Sequence, residues 1–225
     1  MQKTKIEWCD YTLNPIVGCK HGCSYCYAKK MNDRFHFVNK WEEPEEKPLT
    51  YIGARETLDR SDSSKTIFVG SMSDMFGDWV RSGIIHDAIW EARCNPRHTF
   101  MFLTKNPKRY MDFIFSENVM LGMTYTGDNA CLDIDLINFM MGVKHQRKFL
   151  SIEPLLGFIP GIPDSNLLEL VIVGAQTGSN KIVPEQKWIE SVTRQFAPEQ
   201  IFWKENIKKI ARRILKQDFI SFNWQ

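Results

Sequence analysis

The chain has 225 residues, enough for one large domain or two small ones. Hydrophobic residues make up 43% and charged residues 25%, which allows a buried core and excludes wholesale disorder. A net charge of +2 excludes the global positive field of an obligate nucleic-acid binder. No apolar stretch approaches the roughly 18 residues of a membrane helix, and the N-terminus lacks the apolar core of a signal peptide. We therefore predict a cytoplasmic protein without a membrane partner, whose cysteines stay reduced and serve metal or redox chemistry.

The first feature along the chain is a loop with three closely spaced cysteines. Cys19, Cys23 and Cys26 follow the pattern C-x3-C-x2-C. Gly18 and Gly22 give this backbone unusual freedom to curl around a bound group. Three thiolates can hold three corners of an iron–sulfur cube and leave the fourth iron open, whereas a sealed electron-transfer cluster takes four. The spacing therefore predicts an open [4Fe-4S] site.

Two other interpretations of this loop stay open. A zinc ion could take His21 or Cys9 as its fourth ligand, although the x3 spacing is unusual for zinc and no partner pair of cysteines follows. The three cysteines could also be ordinary core residues. For the scattered Cys9, Cys94 and Cys131 we expect a buried, apolar role, since none has a C-x2-C partner.

After the cysteines, short apolar runs rich in β-branched and aromatic residues recur and predict buried strands. The runs cover residues 66–70, 99–103, 119–125, 149–152, 170–174 and 201–203. Segments with the apolar spacing of helices lie between or after them. These apolar stripes cover residues 84–92, 110–114, 132–140 and 207–215. Strands alternating with helices predict an α/β fold with a parallel sheet, either open or closed into a full or partial barrel.

Polar residues follow directly after most of the predicted strands. In parallel α/β folds the C-terminal strand ends meet at one face, and binding sites are built there. Each of these residues could equally be an ordinary solvated loop residue. The pattern therefore marks a face and leaves its chemistry open. The set consists of Ser71, Ser73, Asp74, Thr104, Lys105, Thr124, Thr126, Asp128, Glu153, Gln176, Thr177, Lys204 and Glu205.

Two clusters of cationic and aromatic side chains could hold a nucleic-acid backbone. One is the run from Arg34 to Phe37, and the other lies on the last predicted helix with Trp203 and Trp224 as neighbours. The near-neutral net charge favours the alternative, in which the helix simply presents a solvated face. The basic residues of that helix are Lys208, Lys209, Arg212, Arg213 and Lys216.

Seven motifs occur in the order TKIEW, NPIVGC, FVGSMSDMF, TFMFLTKNP, NVMLGMTY, FLSIEPLLG and LVIVGAQTG. Together they resemble an uncharacterised phage-associated family of radical S-adenosylmethionine (radical SAM) type, first described from mycobacteriophage proteins. C-x3-C-x2-C is the signature of that superfamily, in which the residue before the last cysteine is usually aromatic, as Tyr25 is here. The resemblance covers nearly the whole chain.

The resemblance implies a single domain over residues 1–225, folded as a partial (βα)6 TIM-like barrel of radical SAM type. It implies a [4Fe-4S] cluster on Cys19, Cys23 and Cys26 and reductive cleavage of SAM to a 5′-deoxyadenosyl radical. An external one-electron reductant of flavodoxin or ferredoxin type is implied as a partner. The substrate stays open between a nucleic acid or nucleotide and a small metabolite. The rival function is a non-catalytic iron–sulfur or zinc protein whose site is closed by a fourth side chain, such as His21 or Cys9.

The resemblance also implies a set of SAM contacts. Residues 70–74 stand where radical SAM enzymes meet the methionyl amino group, and Lys105 is the candidate partner of the carboxylate. Thr124, Ser151 and Glu153 are candidates for the ribose hydroxyls, and Tyr25 for the adenine neighbourhood. Within residues 70–74, the expected SAM contacts are Gly70, Ser71, Ser73 and Asp74.

The chain departs from this family pattern at two places. Gln176 stands where relatives tend to carry a carboxylate, and an amide does not titrate. A late K-Q-W-G element keeps only its lysine, Lys204. Both departures concern the substrate side, so the prediction of the cluster does not depend on them.

Overall fold

A computed structural model describes residues 1–47, 63–128, 134–178 and 181–214 of the chain. Cys131, Lys216 and Trp224, to which the sequence drew attention, lie outside these ranges. The chain forms two compact units, Met1–Leu121 and Gly122–Gln225. Within the described ranges, none of the helices has the length and apolar character needed to span a bilayer.

The first unit combines a small antiparallel pair of strands with the larger sheet that positions the cysteine loop. The order along the chain is β1 (Gln2–Lys3), β2 (Tyr11–Leu13), β3 (Ile16–Val17), α1 (Tyr27–Phe35), β4 (Glu45–Glu46), β5 (Thr66–Val69), α2 (Ser82–Cys94), β6 (Thr99–Thr104), a 3-10 turn (Pro107–Asp112) and β7 (Val119–Thr124). The boundary between the two units falls within β7.

In the first unit, strands β2, β5 and β6 run parallel, and β1 pairs antiparallel with β2. Val69 pairs with Leu13 on one side and with Phe102 on the other, so these strands end at a common edge. Residues 70–74, after β5, and Lys105, after β6, consequently leave the sheet at that edge. Strands β3 and β4 form a separate antiparallel pair, which carries the start of the cysteine loop.

The second unit repeats the α/β arrangement. Its elements are α3 (Ile134–Ile137) with a π-helical turn (Asn138–Gly142), β8 (Lys148–Ile152), a 3-10 turn (Ser165–Leu167), β9 (Leu168–Val173), α4 (Gln186–Thr193), a 3-10 turn (Pro198–Gln200), β10 (Ile201–Trp203) and α5 (Glu205–Ile214). Strand β9 lies between β8 and β10 and pairs parallel with both. Every residue of β8 is buried, as expected for a strand covered on both faces.

All six predicted strands are present, and the chain is a mixed α/β protein with mostly parallel strands, as predicted. The helix predicted over residues 110–114 is wrong. Tyr110 and Phe113 are buried, but the segment is a 3-10 turn and Ile114 is 92% exposed. Pro107 opens this turn, and the chain enters β7 only a few residues later, which leaves no room for a regular helix. The barrel and the single-domain organisation stay predictions.

Candidate functional site

The cysteine loop leaves β3 at Gly18 and enters α1 at Cys26. The Gly18 backbone has φ +104, and a Cβ there would lie 2.8 Å from the carbonyl oxygen of Trp41, so glycine is required. Its N–H donates to the Met72 carbonyl at 3.0 Å, which ties the loop to the end of β5. Cys26 caps α1, because its thiol accepts a hydrogen bond from the Lys29 N–H at 3.4 Å. Both ends of the loop are therefore anchored.

The thiols of Cys19 and Cys26 lie against an apolar cluster. This packing excludes water from one side of the loop. Burial raises the pKa of the Cys19 thiol to about 11, although hydrogen bonds from the backbone of His21 and Asp74 lower it. In the metal-free chain Cys19 is therefore protonated at neutral pH. The apolar cluster consists of Val17, Ala28, Val38, Trp41 and Met72.

The end of β5 forms the opposite wall of this region. Gly70 has φ +85, and a Cβ there would lie 2.5 Å from Cγ of Met75. The Asn14 amide oxygen accepts from Ser71 Oγ at 3.0 Å and from the Met72 N–H at 3.1 Å. Tyr27, the residue after Cys26, donates its hydroxyl to the Ser71 carbonyl at 2.6 Å. The structure thus brings the cysteine loop and the candidate residues at positions 70–74 together.

Asp74 is the polar centre of this region and is only 7% exposed. Its carboxylate lies 2.7 Å from His21 Nε2 and accepts the N–H groups of Phe76 and Lys105, each at 2.9 Å. Burial raises the pKa of this carboxyl, but the hydrogen bonds from His21, Lys105 and Thr104 outweigh burial and the pKa is lowered. Asp74 does not cap α2, whose N-cap is Arg81. It joins the cysteine loop, the end of β5 and the end of β6.

Lys105 contributes a positively charged side chain next to Asp74 and the cysteine loop. Its Nζ lies 5.4 Å from the centre of the Tyr25 ring, in cation–π contact. Burial lowers the pKa of Lys105, while the Asp74 carboxylate and, when ionised, the loop thiols raise it. Lys105 is therefore a half-buried cation facing the three thiols, not a solvated loop lysine.

Two buried polar atoms near Asp74 lack a hydrogen-bond partner among the residues that the structure describes. They are the Ser73 hydroxyl and the Trp79 indole N–H. The Trp79 ring lies against the edge of His21, with 4.9 Å between ring centroids. Because an unsatisfied buried polar group costs free energy, both atoms suit a bound molecule that supplies partners.

The metal ligands that this loop offers are three thiols and one imidazole. In the described ranges, no three His, Cys, Asp or Glu side chains converge closely enough to hold one metal ion. A cube differs, because each thiolate bonds a different iron and the sulfurs stay further apart. His21 is bonded to Asp74 through Nε2. Cys19, Cys23 and Cys26 are the three thiols of this region that would hold such a cluster.

The other candidate residues lie in or at the edge of the second unit, and the structure describes them there. Thr124 ends β7, and Ser151 is buried in β8, where its carbonyl accepts the Tyr125 N–H at 2.9 Å. Glu153, which follows β8, pairs with Lys204, which follows β10, across the end of β9 between them. A Cβ on Gly174 would lie 3.1 Å from Cγ of Glu153, so glycine leaves room for this pair.

The two departures from the family pattern have structural roles in the second unit. The Gln176 side-chain oxygen accepts the Ile182 N–H at 2.9 Å. Asn206, in the altered element after Lys204, bonds both the N–H and the carbonyl of Ala175, at 3.1 and 2.7 Å. These amides therefore hold the loop after β9 in place.

Sequence reasoning missed Asn14, Tyr27 and the His21–Asp74 bond. Asn14 lies in the NPIVGC motif, but nothing local to that motif shows that its partner is the end of β5. The expectation of a buried Cys94 is wrong, because Cys94 is exposed at the end of α2, while Cys9 is half-buried. Position 94 is the last residue of α2, and the last buried residue of that helix is Ala92.

Cys19 should alkylate slowly in the metal-free protein. With a pKa of about 11, roughly one Cys19 in a thousand is a thiolate at pH 8. We expect its reaction with iodoacetamide to accelerate steadily as the pH rises towards 11. Peptide mass spectrometry after timed alkylation measures this, with the exposed Cys94 as internal reference. Alkylation of Cys19 that keeps pace with Cys94 at pH 8 would contradict the burial of its thiol.

Two solved structures share this fold. A cysteine-to-serine variant of spore photoproduct lyase matches with a TM-score of 0.54 at 11% identity. A double variant of spore photoproduct lyase, with bound AdoMet and dinucleoside spore photoproduct, matches with a TM-score of 0.55 at 10% identity. Each match covers 99% of this chain, and the chain spans 65% of the length of those structures. At this identity the likeness concerns the fold.

Among curated proteins, none matches the sequence. A family profile matches residues 3–211, which is most of the chain and includes the cysteine loop, Asp74 and Lys105. The chain therefore belongs to the family described as "Protein of unknown function (DUF5131)".

Proposed function

We propose that this chain is a radical SAM enzyme core, with a [4Fe-4S] cluster on Cys19, Cys23 and Cys26 and SAM beside it. The observation that carries the proposal is the anchored three-cysteine loop, bonded to the end of β5 through Gly18, His21 and Tyr27. When bound, the cluster and SAM supply reductive cleavage of SAM to a 5′-deoxyadenosyl radical. The fold shared with an AdoMet-binding variant of spore photoproduct lyase supports the proposal.

The residues of the first unit would hold SAM by complementary charge. Lys105, a half-buried cation, would meet the carboxylate, and the Asp74 region would meet the amino group. Gly70 and Ser71 would allow the backbone to approach closely, and Tyr25 would border the adenine. The Ser73 hydroxyl, which is buried without a partner in the described residues, is suited to hydrogen-bond a polar group of the ligand.

In the second unit, Thr124, Ser151 and Glu153 would serve the ribose hydroxyls. This assignment requires the predicted single domain over residues 1–225, with the strands of both units in one partial (βα)6 barrel. Glu153 is already paired with Lys204, so a ribose hydroxyl would join that pair as a third partner. We propose a nucleic acid or nucleotide as the first substrate class to screen, because one matched structure holds a dinucleoside. A small metabolite is the second class.

The rival proposal is a non-catalytic metal protein with a closed site, and it needs a fourth protein ligand. The His21 Nε2 atom, one candidate for that ligand, is already bonded to Asp74, and the x3 spacing of the cysteines is unusual for zinc. We therefore favour a cluster with one open iron. An external one-electron reductant of flavodoxin or ferredoxin type is the partner that such a site requires.

Anaerobic reconstitution tests the proposal. We expect the protein to bind about four iron and about four sulfide ions per chain. Dithionite and SAM should then release 5′-deoxyadenosine, measured by liquid chromatography and mass spectrometry, and none should form when dithionite is omitted. Zinc without iron in anaerobically purified protein, or a loaded cluster that never cleaves SAM, would contradict it.

A further inference from the structure

An exposed strip of apolar and cationic side chains begins immediately after the last loop cysteine. Four large apolar side chains lie on it although they face solvent: Tyr27 is 45% exposed, Met31 39%, Phe35 55% and Phe37 44%. An exposed apolar patch of this kind marks a binding surface more often than a random feature. We name it the α1 docking face, and it consists of Tyr27, Lys30, Met31, Arg34, Phe35 and Phe37.

Helical spacing places five of these side chains on one side of α1. Positions 27, 30, 31, 34 and 35 repeat at intervals of three and four, while the buried side carries Ala28 and Asn32. The Asn32 amide bonds both backbone groups of Val38, at 3.2 and 2.9 Å, which fixes the turn after the helix. The Phe37 ring consequently lies beside the Phe35 ring, 5.9 Å between centroids. These contacts hold the side chains of the strip in defined positions.

Both charged side chains of this face are cationic, while the exposed Asp33 lies beside Lys29 on the adjoining side of the helix. Lys30 and Arg34 are exposed, and neither forms an ion pair with any residue that the structure describes. Lys29 lies on the other side of the helix and is paired with Glu42 at 2.7 Å. The face therefore offers positive charge to a partner and complements a negatively charged one.

The side chains favour a protein over a nucleic acid. Arg34 already lies over the Phe35 ring, 5.0 Å from its centre, and the Tyr27 hydroxyl is bonded to the Ser71 carbonyl. Base stacking needs open ring faces, and backbone binding needs more than two cations. Methionine, aromatic residues and arginine are enriched at protein–protein interfaces.

We propose that the α1 docking face receives an acidic one-electron carrier protein. The inference rests on the proposed function and assigns the surface at which the reductant would deliver the electron that SAM cleavage requires. Cys26 caps α1, and the helix extends the face only about 12 Å from that end, since each residue adds about 1.5 Å. A carrier seated here lies beside the cysteine loop. It loses one electron from a reduced flavin or iron–sulfur centre, and the cluster on Cys19, Cys23 and Cys26 gains that electron.

A charge-reversal variant with a matched control tests this. The test variant combines Lys30→Glu with Arg34→Glu. The control combines Arg93→Glu with Arg97→Glu, which likewise reverses two exposed cations, in the last turn of α2 and shortly after that helix. The probe is an acidic flavodoxin, oxidised for calorimetric binding to the unloaded and loaded protein, and reduced for stopped-flow reduction of the loaded protein.

We expect the test variant to bind flavodoxin at least about tenfold more weakly at low salt, with the difference shrinking at high salt as charges are screened. Reduction by flavodoxin should slow in parallel, whereas dithionite, which needs no docking, should bleach the cluster at the wild-type rate. The control variant carries the same change in net charge and should stay close to the wild type in every measurement. If the double variant folds poorly, Arg34→Gln should show a smaller loss in the same direction.

Three results would overturn the proposal. The first is an equal loss in the test and control variants, and the second is flavodoxin binding that salt does not weaken. The third is a single-stranded oligonucleotide whose binding the test variant loses while reduction by flavodoxin stays unchanged, because the face would then bind nucleic acid. Failure of the proposed function is distinguishable, since it appears as missing 5′-deoxyadenosine with dithionite and leaves the binding of flavodoxin measurable.

Discussion

Cys23→Ala is expected to abolish both cluster loading and SAM cleavage. Two thiolates cannot hold three corners of an iron–sulfur cube, and no other His, Cys, Asp or Glu in the described ranges joins them at a single metal position. Iron should fall from about four per chain to near zero after reconstitution. Release of 5′-deoxyadenosine should fall to the level of a reaction without protein. Iron analysis, the absorbance spectrum and mass spectrometry measure these three outcomes.

Cys94→Ala is the matched control for this substitution. Cys94 is exposed at the end of α2 and belongs to no cysteine pattern, so its loss should leave iron content and product release unchanged. A Cys23→Ala protein that still binds about four iron ions would show that another side chain takes its place. That result would remove the three-cysteine cluster on which the proposed function depends.

Asp74→Asn is expected to destabilise the protein by about 2–4 kcal/mol at pH 7. The Asp74 carboxylate accepts from three donors, namely the His21 ring and the N–H groups of Phe76 and Lys105. The asparagine keeps the shape of the side chain, but its NH₂ group cannot accept a hydrogen bond. At least one buried donor would lose its partner. Urea unfolding monitored by circular dichroism measures the difference in the free energy of unfolding.

The pH dependence of this loss has a defined sign. The pKa of Asp74 is lower in the folded protein than its ordinary value, so the ionised carboxylate stabilises the fold. This stabilisation is fully present above about pH 4, the ordinary range of an aspartate, and is lost as the pH falls through the folded pKa. The difference between Asp74→Asn and wild type should therefore shrink below about pH 4.

Asp78→Asn is the control for Asp74→Asn. Asp78 is an exposed carboxylate that accepts one hydrogen bond, from the Asn106 side chain at 2.8 Å. Its replacement should change stability far less, because water can satisfy the exposed group. Equal effects of the two substitutions would contradict a buried, hydrogen-bonded Asp74.

The parts of the fold that were predictable are those that are buried on both faces. Residues 149–152 and 170–173 are almost continuously apolar. Because burial on both faces of a parallel sheet requires this pattern, both strands could be predicted from the sequence. Helix α1 was not predicted, because its buried side carries only Ala28 and Asn32 while its large apolar residues face solvent. Periodicity reports which face is apolar, and in α1 the apolar face is not the buried one.

The candidate site divides in the same way. The spacing of Cys19, Cys23 and Cys26 is local, so the sequence alone determined that one short loop carries three thiols. It also determined that this loop belongs to an α/β fold. The bond between His21 and Asp74 joins residues 53 positions apart. Lys105 lies 31 positions from the carboxylate that accepts its N–H. Only the tertiary structure decided these partners, because hydrogen bonds and charge depend on distance in space, and parallel strands bring remote segments to one edge.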